Sequence, residues 1–183
     1  MKKRKVNIKE RLLQRINIDD IFEIVYVVQS DDKQKQELFS LLFDENDKVA
    51  YQAAWVFTHF TLHENKWLYD KQHELTDEVL VCLHPGKRRM LLSLLYRQPL
   101  LNPPRVDFLD FCLEHMMAKE ELPGVQMLCM KLAYEMCRLV PELRQELRAT
   151  LEIMEPDMLV VSVRTVRKNV LKAMKIGKSL QIY

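Results

Sequence analysis

The sequence predicts an all-helical chain of paired helices, and three observations carry that prediction. Its 183 residues are 48% hydrophobic and 30% charged, too apolar for disorder and enough chain to bury a core. Only 3 glycines are present, too few for the tight turns of a sheet protein. Period-two alternation is missing, whereas apolar residues recur three and four apart along most of the chain.

The chain opens on a basic stretch, MKKRK, followed by short helices near 9–16 and 19–29, so residues 1–30 read as a basic tail and helical cap. Helices near 32–43 and 46–62 come next. Asp31 is placed to cap the first of them, and Asp31 and Asp32 set acid at the positive end of its dipole. A second pair lies near 66–83 and 87–98, with its first member open to a break. Two more pairs follow, 104–119 with 124–140 and 141–154 with 156–175. Pro104, Pro141 and Pro156 suit first turns, whose amide hydrogens are unpaired in any helix, and Asn102 reads as a cap. Arg97, Arg138 and Lys175 lie toward negative helix ends.

Several function classes fall away. The basic start runs into alternating charge where a secretory signal needs a hydrophobic region. The longest apolar run, 21–28, contains Glu23 and is far short of the roughly 20 residues that span a bilayer. Cys82, Cys112, Cys129 and Cys137 form no C-x-x-C pair and sit in apolar stretches, as reduced buried thiols do. A cytoplasmic protein with no membrane partner, no zinc and no disulfide is expected. Gly86, Gly124 and Gly177 are too scattered for a phosphate-cradling loop, and neither G-x-S-x-G nor H-E-x-x-H occurs. His59 and His63, four apart beside Glu64 and near His73, lack a fixed third ligand. No metal, cofactor or catalytic residue is therefore assigned. Trp67 reads as an anchor for its connecting segment.

The first helices of successive pairs begin near Asp32, Lys66, Pro104 and Pro141, in steps of roughly 34, 38 and 37 residues. In NDKVAYQAAWVF, Asp47, Val49, Ala53 and Val56 match an Asp-x-Val-x-x-x-Ala-x-x-Leu pattern, while GVQMLCMKLAYEM and PDMLVVSVRTVRKNV keep only its apolar skeleton. On these residues the chain resembles the HEAT and armadillo superfamily. The resemblance implies an α-α superhelix of about four HEAT-like hairpins over 31–178, with units near 31–62, 63–100, 101–140 and 141–178 and a short N-terminal helical cap, in a single domain overall. It also implies that first helices line a convex outside and second helices a concave inside. An ordinary helix bundle is the competing architecture.

Helical wheels separate a packing stripe from an outer ridge on each second helix. Val49, Ala53, Val56 and Phe60 face inward in the first, leaving Tyr51 and Trp55 outside; Leu91, Leu94 and Leu95 pack in the second, leaving Arg89, Ser93, Tyr96 and Arg97. The third presents Lys131, Tyr134 and Arg138. The fourth carries Arg164, Lys168, Lys172 and Lys175 within an arc of roughly 80°, opposite Val163, Val166 and Val170. First helices hold 19 acidic and 8 basic residues, net −11; second helices hold 13 basic and 3 acidic, net +10. A basic, aromatic-bearing wall with an acidic back follows.

Such a wall suits an acidic segment of a partner protein, because arginine grips carboxylates in pairs and tyrosine or tryptophan offers rigid contact area. A non-catalytic protein-interaction scaffold is the expected function. Nucleic acid is the alternative partner, since the same wall can track a phosphate backbone. In outline the chain is similar to the HEAT-like bacterial DNA alkylation repair glycosylases, whose cleft combines aromatic residues with an acid; Tyr51 and Trp55 would supply the former and only Glu135 resembles the latter. A resemblance to adenylosuccinate lyases stops at helical content, since their glycine- and serine-rich signature loop has no counterpart.

Overall fold

The first five helices of this chain begin where a side chain takes up the free amides of a first turn. The structure, a computed structural model, describes residues 7–183; the basic stretch at 1–6 lies outside the described residues. Asn7 opens helix α1 (Ile8–Leu13), and Asn17 opens α2 (Ile18–Val28) through a reciprocal capping box with Asp20. Asp31 caps α3 (Asp32–Ser40) as expected, holding the amides of Lys33 and Gln34. Asn46 caps α4 (Asp47–Thr58), and Thr61 caps the single turn α5 (Leu62–Asn65). All described elements are helical: α6 (Gln72–Val81), α7 (Pro85–Tyr96), α8 (Val106–Met117), α9 (Pro123–Cys137), α10 (Pro141–Ile153) and α11 (Val161–Ile176) complete the order, with no strand among the described residues.

The fold divides into two compact units, Met1–Leu68 and Tyr69–Tyr183. In the first, α4 is central: Val49, Ala50, Ala53, Ala54, Val56 and Phe57 are all fully buried. Six-residue α1 is too short to persist alone. Its terminal carbonyls are taken up by α4, where Lys48 Nζ donates to Leu13 O (2.8 Å) and the buried Gln52 amide donates to Leu12 O and to Gln14 O (3.0 Å). Trp67 stacks on Phe57 (centroids 6.3 Å apart) and meets Phe39 edge-on at 6.0 Å, the anchoring role expected of it.

In the second unit α9 is central, packed against α7, α8, α10 and α11. Val125, Cys129, Met130, Leu132 and Ala133 are fully buried along it. The segment after α7 is pinned by Gln72, whose amide nitrogen donates to Pro99 O (2.9 Å) and whose oxygen accepts from Leu101 N (3.0 Å). The four cysteines are free and buried, and burial pushes the Cys112 and Cys137 thiols up, Cys137 to about 11.

Several boundaries differ from expectation, each for a local reason. The segment near 66–83 has the break its sequence left open, a 3-10 stretch Lys66–Lys71 before α6, whereas 156–175 splits into a 3-10 turn Pro156–Met158 and α11. Pro141 does open α10, and Pro156 opens its 3-10 turn, but Pro104 lies ahead of α8. Asn102 is not a cap either: the residue ahead of α8 is Arg105, which pairs with Asp77 and Asp107 at 2.5 Å each.

Candidate functional site

Most of the residues singled out from sequence lie in the second unit, and what covers them decides what they can bind. Gly177 ends α11 in the left-handed region (φ 67), where glycine alone is unstrained, and Lys178 N donates back to Ala173 O. The chain then returns as an extended strap, residues 178–183, over α7 and α9. Tyr134 donates its hydroxyl to Lys178 O (2.8 Å) and Tyr96 donates to Leu180 O (2.5 Å). Glu135 accepts from Ser179 Oγ (3.0 Å), from Leu180 N (2.5 Å) and from Arg138 Nε (3.1 Å). Gln181 Nε2 donates to Tyr96 O and Gln98 O at 2.8 and 2.9 Å. Burial, and then the Glu135 charge, push Tyr96 up to about 12, so its hydroxyl stays a donor.

This corrects the outer position expected for Tyr134: it is completely buried, because the strap closes over the face of α9 that the helical wheel leaves open. Tyr96 is half-buried for the same reason, with Lys131 Nζ 5.1 Å from its ring centroid. Ser93, Arg97 and Arg138 are half-buried, and Arg89 is exposed with its stem close over Gly124, where a Cβ would sit 2.6 Å from Arg89 Cδ. Glu135, the one acid in the expected ridge, is engaged by Arg138 and the strap.

The expected separation of acidic first helices from basic second helices is only partial. Lys87 of α7 is buried and pairs with Glu78 of α6 at 2.6 Å, and Arg88 pairs with Glu121. His115 stacks on Phe111 (3.9 Å) and donates Nδ1–H to the same Glu121 carboxylate across 2.7 Å. Burial first, and the Arg88 charge second, hold the imidazole below its ordinary value, so it is neutral at pH 7.

Cations remain in the open on α10 and α11. Arg164, Lys168, Lys172 and Lys175 are exposed along α11, as the wheel predicts, while Arg164 also donates to Leu159 O (3.2 Å). Lys175 joins Arg144 and Arg148 of α10 in an open groove of about 480 Å³, completed by Pro141, Gln145 and Met174. Among the described residues, three cations and no carboxylate line it. Sequence reasoning missed Arg144 and Arg148, assigning α10 to the acidic back by net charge; their spacing of four on one helix face was the available signal.

In the first unit Tyr51 and Trp55 are half-buried neighbours (centroids 6.5 Å), continued by His59 against Trp55 and Phe22. His59 is thus part of an aromatic row, and His63 is exposed beside Glu64 at 3.8 Å. Among the described residues no group of three or more His, Cys, Asp or Glu is arranged to hold a metal. No described helix is long and apolar enough to cross a membrane.

The family model described as HEAT repeat domain matches residues 8–174. The chain belongs to the HEAT repeat domain family. Compared with curated proteins and with solved structures, this HEAT repeat chain has no match. Membership fits the helix order from α1 to α11 and the motif-bearing α4, and HEAT repeats serve widely as protein-interaction modules.

Proposed function

We propose that this HEAT repeat chain is a non-catalytic cytoplasmic scaffold that binds an acidic segment of a partner protein at the cationic edge of α10 and α11. The groove of Arg144, Arg148 and Lys175 carries the proposal: three cations converge on about 480 Å³ of open space with no lining carboxylate. An arginine fork grips a carboxylate through two parallel hydrogen bonds. Arg148 shares its guanidinium with Glu152 (2.8 Å), whereas Arg144 and Lys175 make no ion pair among the described residues, so these two lead. Lys172, Lys168 and Arg164 extend the positive edge along α11, and Arg89 and Lys131 are further cations of the same unit.

The test uses a fluorescein-labelled glutamate-rich peptide and anisotropy. Arg144→Glu with Lys175→Glu is expected to weaken binding at least ten-fold without changing the far-UV spectrum. Unchanged affinity overturns the groove. Duplex DNA serves as the comparison probe: tight duplex binding that collapses steeply with salt, alongside no peptide binding, replaces the protein partner with nucleic acid.

A further inference from the structure

The strap does more than end the chain. Its contacts are those of a bound peptide: two backbone carbonyls, Lys178 O and Leu180 O, meet phenol hydroxyls. One backbone amide and one serine hydroxyl meet the two oxygens of a single buried carboxylate, Glu135. One glutamine amide bridges the carbonyls of Tyr96 and Gln98, at the end of α7. Arg138, one turn along α9, holds the Oε2 oxygen that Ser179 also meets, so the acceptor is oriented from within its own helix. Each feature reads chemistry that any extended chain with a hydroxyl residue, an apolar residue and then glutamine can supply.

The strap is also poorly anchored. Leu180 is only partly buried, Ile182 and Tyr183 are 77% and 56% exposed, and the hinge Gly177 has open space around it. A segment held mainly by polar contacts, with little apolar burial, opens at the low end of a protein's local stabilities. The surface beneath it is built of side chains held on their own helices: Tyr96 carries Lys131 over its ring, and Arg138 pairs with Glu135.

We propose that the α7–α9 face under residues 178–181 is a peptide-docking groove, that the strap occupies it in cis, and that an extended partner segment of the pattern Ser/Thr-apolar-Gln enters by displacing the strap. This site is separate from the cationic groove, and no acidic probe is used to test it, so its failure leaves that reading standing.

The experiment uses the full chain and the labelled hexapeptide Lys-Ser-Leu-Gln-Ile-Tyr as probe. Ser179→Asp sets a second carboxylate against Glu135 and drives the strap off. Losing a hydrogen bond to a charged group weakens closure by about ten-fold or more. The variant is expected to keep wild-type helicity, to lose hydrogen-exchange protection at the Leu180 amide, and to bind the hexapeptide at least ten-fold more tightly than wild type. Tyr134→Phe added to Ser179→Asp keeps the packed ring but removes one donor, and lowers that affinity about three-fold or more. A hexapeptide with Gln replaced by Ala is expected to bind more weakly still. Retained Leu180 protection in Ser179→Asp, or equal peptide affinity in wild type and variant, overturns the proposal. A wild-type dimer that loses Leu180 protection on dilution overturns it as well, by assigning the groove to a second copy.

Discussion

Tyr134 is where a single residue separates two accounts of the second unit. A tyrosine on an exposed ridge costs little to remove, within about 0.5 kcal/mol. A fully buried one leaves a cavity, and Tyr134→Ala is expected to cost about 3–5 kcal/mol in chemical denaturation, against about 0.5–1.5 for Tyr134→Phe, which loses only the bond to Lys178 O. The wheel misplaced it because a wheel sees only its own helix; the cover comes from a strap 44 residues further along. His115 makes a second prediction at this scale. Its folded value lies below the ordinary 6.5, so the unfolded chain binds the proton more readily, and stability is full above that value and falls as pH drops through it. Replacing His115 with Gln is expected to flatten the loss of thermal midpoint between pH 6.5 and 5 relative to wild type; an identical slope contradicts the neutral, half-buried ring.

Among the elements, α1 shows how a helix too short to stand alone is kept. Lys48 and Gln52, four apart on α4, cap its last carbonyls, and Gln52 is buried. Gln52→Ala leaves the Leu12 and Gln14 carbonyls without this donor at a cost of about 1–3 kcal/mol and is expected to speed amide exchange in α1 while leaving α6 to α11 unchanged. Uniform exchange across both units would contradict the cap. Helix positions were largely legible in the sequence, since Asp31, Asn46, Pro141 and the packing stripes of α4, α7 and α11 mark them locally. The site was less so. Averaging charge over α10 concealed Arg144 and Arg148, which lie on one face next to Lys175 of α11, and averaging over α7 hid the pairing of Lys87 and Arg88 with acids of neighbouring segments. Sums over a helix do not record which charges meet.

For the whole molecule, family membership rests on residues 8–174, and the fold resolves into a unit organised by α4 and a unit organised by α9. We propose that the two melt as one domain. Both tryptophans, Trp55 and Trp67, belong to the first unit, so tryptophan emission follows that unit while far-UV circular dichroism follows both. Coincident thermal transitions are expected, and separated midpoints contradict a single cooperative domain. The central functional claim is that α10 and α11 together form the acidic-partner site. Hydrogen exchange of the full chain with and without a saturating glutamate-rich peptide tests it most directly. The account predicts new protection confined to residues 141–148 and 164–176, and protection elsewhere with these segments unchanged would contradict it.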